Sequence, residues 1–282
     1  MEAATDINTY FIHDPVTTAM DLGIEGNAAV VAASSGGLGR AAAKALAEEG
    51  ADVVINGRDA DSLEATAGAL RETAEGAVVP HAADLTDEAG CAGLIERAVD
   101  EFGQLDHLVT NAGGPPSGPF LETSDEDWQH AFDLLVKSTV RLCRAAHEPL
   151  RADGGGTIVC STSHSVKEAL DNLVLSNAVR MSVVGLEKTL SREFAPEVRA
   201  NVVMPGAHAT DRMEYLIERD VEMGEFDSYE ESHAAWTAPI PLGRMGDPDR
   251  YGRVIAFLCS EPASFINGTA VMVDGGAARS NL

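Results

Sequence analysis

The chain has 282 residues, with 45 Asp and Glu against 20 Lys and Arg, a formal net charge of −25. Such a surface repels phosphate backbones, which argues against nucleic-acid binding, and the apolar runs are strand-sized, well below the ~20 residues of a membrane span. The acid excess suits a cytoplasm of high ionic strength, where the Debye length falls to ~3 Å at 1 M salt; a salt-adapted source and ordinary acidic solubility are both open readings.

Residues 1–19 show no clear period and read as an N-terminal extension expected to be disordered, with translation from Met20 as a second reading. From there a steady rhythm of strands and helices runs to Asp274. Strands are expected at 28–33 (AAVVAA), 51–57 (ADVVING), 77–85 (AVVPHAADL), 106–113 (DHLVTNAG), 156–161 (GTIVCS) and 200–206 (ANVVMPG). The helices between them are expected over Leu38–Glu49, Ala60–Glu75, Glu88–Phe102, Ser124–His147 and Asn172–Phe194. Apolar residues recur at i, i+3 and i+4 in the helices, while the strands are continuous apolar runs, as in parallel sheets covered on both faces. Helix-separated parallel strands with right-handed crossovers give a Rossmann-type doubly wound α/β sheet in a single domain over residues 20–282. Residues 210–238 leave this rhythm for an acidic stretch with scattered Met, Tyr and Trp, which predicts a lid or substrate loop. Cys91, Cys143, Cys160 and Cys259 form no CxxC pair and predict buried, reduced thiols; no metal site is expected. No leading segment has the basic and then apolar layout of a secretory signal, so a cytoplasmic protein is expected.

The stretch Ala32-Ala-Ser-Ser-Gly-Gly-Leu-Gly-Arg40 follows the first strand and opens a helix. Glycines there let the backbone approach a pyrophosphate seated on the helix's N-terminal amides; a plain tight turn is the alternative. At these residues the chain resembles the short-chain dehydrogenase/reductases, over about residues 20–278. The family's TGxxxGxG falls on Ala32, Ala33, Gly37 and Gly39, with Ser35 and Leu38 in the same loop. The first Thr-Gly pair is Ala-Ala here, so Ala33 must avoid positive φ or accept strain. Asp84-Leu85 matches the pair that meets the adenine, Asn111-Ala112-Gly113 the run beside the cofactor, and Pro205-Gly206 with Thr210 the stretch that holds the carboxamide end. IPLGRMGDP and SFINGTAVMVDGG match the family's C-terminal signature. The second strand ends in Asn56-Gly57-Arg58, without the carboxylate that would bond a ribose 2′-hydroxyl. Arg58 can instead bind a 2′-phosphate, which favours NADP(H) over NAD(H); a solvated surface arginine is the bland reading.

The resemblance also implies a reaction centre of Tyr, Lys, Ser and Asn, and the register set by GLEKTL (185–190) shows it altered. Ser176 stands at the Tyr position, Arg180 at the Lys position and Leu135 at the Asn position, while Ser163 is retained. An unassisted serine hydroxyl is a far weaker acid than a phenol. Arg180 can stabilise an oxyanion and grip the ribose but does not pass protons, and Leu135 cannot hold a relay water. His208 and His164 are the candidates to replace the missing donor, with Tyr215 and Tyr229 behind them. The leading expectation is an NADP(H)-dependent oxidoreductase of a 3-oxoacyl-[acyl-carrier-protein]-reductase-like branch lacking the Tyr/Lys pair, acting on a small carbonyl or secondary alcohol. Two alternatives stay open: an NADP(H)-binding protein without turnover, acting as sensor or inactive partner, and a non-redox lyase of the dehalogenase kind. The family's habit implies a homotetramer through the helices at 124–147 and 172–194.

Overall fold

A computed structural model describes residues 20–280. The expectations of a disordered extension and of a start at Met20 concern residues 1–19 and lie outside the described part. Seven parallel strands form one sheet in the order β3-β2-β1-β4-β5-β6-β7. They are β1 (Ala28–Val31), β2 (Asp52–Gly57), β3 (Val78–Ala82), β4 (His107–Thr110), β5 (Gly156–Ser161), β6 (Val198–Pro205) and β7 (Ala270–Val273). Successive residues along β1 serve opposite faces. Val30 and Ala32 join one core with β5 and the helices α3 (Glu88–Phe102) and α5 (Ser138–Arg151). Ala29 and Val31 join the other with α1 (Gly37–Glu48), α2 (Ala60–Arg71) and α10 (Pro248–Cys259). Both faces are therefore dry, which is why the strands lack polar alternation.

Helix α1 is an alanine-rich helix and packs directly on α10. The close approach depends on Gly252, because a Cβ there would run into the Ala41 carbonyl. Local signals set the ends of several elements. The Asp59 side chain caps α2 by accepting from the Ser62 N–H at 2.8 Å, and Gly103, at φ 77°, ends α3 in the left-handed region.

Two expected helices are interrupted. The helix expected over Ser124–His147 is α4 (Asp125–Phe132), a π turn at Asp133–Lys137, and then α5, which continues to Arg151. The helix expected over Asn172–Phe194 begins late, since Asn172 sits at φ 54°, where no right-handed helix can start. It divides at Arg180 into α6 (Val174–Val179) and α7 (Met181–Glu193). The segment at 210–238 is mostly helical, folding as α8 (Asp211–Glu222) and α9 (Tyr229–Thr237). Leu173, Ala207, Met213, Leu216, Ile217 and Ile240 give this part a small core of its own. All four cysteines are buried and unbridged. Among the described residues no helix is long and apolar enough to cross a membrane.

Candidate functional site

Strand order reverses between β1 and β4, so the loops leaving their carboxyl ends diverge and open a crevice. A cleft of about 560 Å³ runs along it, from the turn after β1 to the start of α8. At one end lie Ala33, Ser35, Gly37, Leu38 and Arg58, then Asp84, Leu85, Asn111, Ala112 and Gly113. At the other lie Ser163, His164, Ser176, Arg180, Pro205, Gly206, His208 and Thr210. Of the residues in the family's glycine motif, Ala32 and Gly39 do not face the cleft. Gly39 is buried beneath the turn, where a Cβ would collide with the Ala33 carbonyl.

Ala33 takes the strained alternative: its φ is 46°. Two asparagine side chains hold it there. Asn56 Oδ1 accepts from the Ala33 N–H at 3.1 Å, and Asn111 Nδ2 donates to the Ala33 carbonyl at 3.0 Å. Asn56 is buried in β2 and also donates to the carbonyls of His81 and Ala83, so it ties three strand ends together. The resulting turn delivers the chain into α1 with no side-chain cap at Gly36, leaving the first amides of α1 for an anion. A dinucleotide fits these residues: glycine where the backbone is crowded, free helix amides for a diphosphate, and the exposed Arg58 at the end of β2. The Asp84 carboxyl is held below its ordinary range by hydrogen bonds from Thr86, backbone and then hydroxyl, with a smaller push from Arg58.

At the far end Ser163 is extended and caps the short turn His164–Val166, its Oγ accepting from the Ser165 N–H at 3.1 Å. Ser176 Oγ lies 3.2 Å from Ser165 Oγ. Arg180, only 8% exposed, donates from Nη1 to the Thr162 carbonyl at 3.3 Å and from Nη2 to the Gly113 carbonyl at 3.4 Å. Its Nε is buried without a partner among the described residues. Burial, followed by the neighbouring Arg212, lowers its pKa to about 10, so the guanidinium remains charged at neutral pH. Leu135 is buried in the sheet core, and it is Leu134 that lines the cleft.

The two histidines sit differently. His208 Nδ1 lies 3.1 Å from the Gly206 carbonyl, and its ring meets Tyr251 edge-on at 5.4 Å between centroids. His164 Nδ1 is buried with no partner among the described residues. Burial lowers the pKa of both; the Gly206 carbonyl opposes this at His208, and Asp274 and Glu168 oppose it at His164. Tyr215 and Tyr229 do not line the cleft: Tyr215 lies under Arg212, 5.0 Å from guanidinium to ring centre, and Tyr229 stacks on His233.

Three participants escape sequence reading. Arg212, half-buried at the start of α8, lies across the Gly114 backbone and donates from Nη2 to the Pro115 carbonyl at 2.8 Å. Tyr251 is buried beneath the site, donating to Ser161 Oγ at 2.7 Å, with its pKa pushed well up by burial. Asn56 looked like the mere end of a strand. None belongs to a motif, and what makes each matter is a contact across at least twenty residues.

Comparison with known proteins agrees with this geometry. The family described as enoyl-(acyl carrier protein) reductase matches residues 32–278. A D-threitol dehydrogenase of Mycolicibacterium smegmatis is 31% identical over 268 residues, covering 91% of this chain and 94% of its own. A short-chain type dehydrogenase/reductase of Sinorhizobium fredii is 31% identical over 258 residues, covering 90% and 98%. Among solved structures, L-sorbose reductase from Gluconobacter frateurii, complexed with NADPH and L-sorbose, superposes with a TM-score of 0.87 at 31% identity. It covers 93% of this chain and 100% of its own. The match across nearly the whole fold, joined to the glycine turn and the cleft that it opens, makes this chain a member of the short-chain dehydrogenase/reductase family.

Proposed function

We propose that the protein is an NADP(H)-dependent oxidoreductase acting on a carbonyl or secondary alcohol, through an atypical proton path. One observation carries the reading: Ala33, Ser35, Gly37 and Leu38 of the glycine turn and the polar group of Ser163, Ser176 and Arg180 line one continuous cleft. The NADPH bound in the structures of the Gluconobacter sorbose reductase and of the actinorhodin polyketide ketoreductase points the same way. Arg58 at the end of β2 supplies the charge for a 2′-phosphate. Ala33, Ser35, Gly37, Leu38 and Gly39 form or support the diphosphate turn. Asp84 and Leu85 meet the adenine, Asn111, Ala112 and Gly113 flank the middle, and Pro205, Gly206 and Thr210 hold the carboxamide end. NADP(H), when bound, supplies or takes the hydride.

The chain's own residues do the rest. Ser163 and Ser176 offer hydroxyl donors to the substrate oxygen, and Arg180 provides a fixed positive charge for an alkoxide. Arg180 also holds the Gly113 carbonyl and so shapes the middle of the cleft. Neutral imidazoles, favoured by burial, suit proton acceptance from an alcohol. His208 is one candidate for that role. His164, which lines the cleft next to Ser163, is the other. The test is purified protein with NADP⁺ or NADPH and an alcohol and carbonyl panel, followed by absorbance, with His164→Ala and His208→Ala beside it. Loss of the proton acceptor is expected to lower kcat by ~10²-fold or more. Tight cofactor binding with no turnover on any substrate would establish the second reading, a sensor or inactive partner, which the Ser165–Ser176 contact favours by occupying that hydroxyl.

The same proposal includes a homotetramer through α4–α5 and α6–α7, supported by Phe132 and Met181, which leave 40% and 51% of their area exposed on those helices. It also places the protein in a salt-rich cytoplasm, as the surplus of acids suggests.

A further inference from the structure

Besides Arg58 at its far end, the cleft is lined by Arg180 and Arg212, and no acid pairs with either of these two among the described residues. Arg180 and Arg212 form no ion pair among the described residues. Arg212 is the charged neighbour that lowers the pKa of Arg180, and no carboxylate counters it at either guanidinium among the described residues. Asp84 and Asp211 also line the cleft, yet neither pairs with these guanidiniums, so in a chain with 45 acids and 20 bases two neighbouring cations are left without a carboxylate partner among the described residues. They are also close. Arg180 donates to the Gly113 carbonyl and Arg212 to the Pro115 carbonyl, two residues apart on one segment. Burial and their mutual repulsion lower the pKa of Arg180, while burial lowers that of Arg212. Two desolvated like charges persist at a cost that a bound anion would offset. The Nε of Arg180 is a buried donor with no partner among the described residues, which adds to the unmet demand of this guanidinium for hydrogen bonds.

We propose that Arg212, backed by Arg180, is an anion site for a carboxylate of the substrate, so that the protein acts on oxo acids or hydroxy acids. The proposal deepens the oxidoreductase reading and rests on it for the reaction, but binding at the site can be measured without turnover. Two features place this anion on the substrate. The guanidiniums gather at the end of β4, whereas the free amides suited to a diphosphate open α1. The neighbouring cleft wall, Leu170, Leu173, Leu216 and Trp236, is apolar and suits a carbon chain. A planar guanidinium lying flat over Gly114 can present a bidentate edge to a carboxylate, a geometry that lysine lacks.

The test is a saturation-transfer NMR titration of the full chain with 2-oxobutanoate, acetoacetate and levulinate, each against its methyl ester, with and without NADP⁺. At least one acid is expected to bind roughly 10- to 100-fold tighter than its ester, the range of a charge-assisted pair. In Arg212→Gln that preference collapses to near unity, and in Arg212→Lys it is intermediate; thermal melts confirm that both variants are folded. Equal binding of acids and esters overturns the proposal, as does a preference that survives in Arg212→Gln, or no binding by any acid. If Arg212→Gln weakens NADPH instead, without any acid preference, the anion is the cofactor's diphosphate and the proposal falls. Acid-selective binding without NADPH oxidation would retain the anion site and remove the redox reading. Oxidation of NADPH with acid and ester alike would do the opposite.

Discussion

Asn56→Ala probes how a turn lacking its first glycine keeps its shape. Asn56 is 1% exposed and makes three side-chain hydrogen bonds, to the Ala33 N–H at 3.1 Å and to the carbonyls of His81 and Ala83 at 3.2 and 3.1 Å. Each such bond contributes about 1 kcal/mol net, and truncation leaves buried partners unsatisfied, so a loss of about 3 kcal/mol is expected. For a domain of this size that lowers Tm by roughly 6–12 °C. A second effect separates a clamp from a mere strut. Ala33 at φ 46° occupies a region that costs an L-residue about 1–2 kcal/mol. Without Asn56 it can relax, and the turn no longer presents the amides of α1. NADPH affinity is therefore expected to fall along with stability, and Ala33→Gly in the Asn56→Ala background is expected to restore part of both, because glycine occupies that region freely. The assays are urea unfolding and fluorescence titration of NADPH on the two single variants and the double. A stability loss under about 1 kcal/mol, or a double variant no better than Asn56→Ala alone, would refute the clamp.

Other residues give separate expectations. Arg58→Ala is expected to raise the Kd for NADPH by roughly tenfold and leave that for NADH nearly unchanged; parallel shifts for both cofactors would show that Arg58 does not read a 2′-phosphate. The Asp211 carboxylate lies 4.0 Å from where a Cβ on Gly36 would stand, next to the diphosphate turn. Asp211→Asn is expected to tighten NADPH by about fivefold, and weaker binding would contradict that repulsion. Glu187 is buried, with one carboxyl oxygen unpartnered, and burial raises its pKa from 4.5 to about 7. The fold favours its neutral form, so its contribution is fully present below pH 4.5 and is lost as pH rises through about 7. Glu187→Gln is expected to melt about 5 °C higher than the parent at pH 8 and close to it at pH 5, and identical pH profiles would rule out this residue as the cause.

The fold was legible because its signals are local. Continuous apolar strands, i, i+3, i+4 helices and a glycine turn between the first pair give the layers and the position of the cleft. Most of the residues nominated for a cofactor line that cleft, since they sit in motifs at strand ends. What the sequence hid depends on tertiary contact. Nothing local to 172–194 marks a break, yet Asn172 takes a left-handed φ and the helix divides at the residue whose guanidinium reaches the Thr162 and Gly113 carbonyls. Arg212 sits in a run that reads DRMEYLIERD, where an arginine passes for a solvated partner of its acidic neighbours. Only the fold shows that it turns away from them. Tyr215 and Tyr229, named as possible partners of the reaction centre, have their rings at Arg212 and His233 and outside the lining of the cleft.

Because all seven strands point the same way, every one of their carboxyl-terminal loops arrives at a common edge. Structural duty and chemical duty are thereby assigned to opposite ends of the same segments. A lineage can rewrite a side chain such as Ser176 or Arg180 while the interleaved β-core carries on folding as before. Such a division of labour lets one ancestral architecture trade one substrate, or one way of handling a proton, for another in single mutational steps.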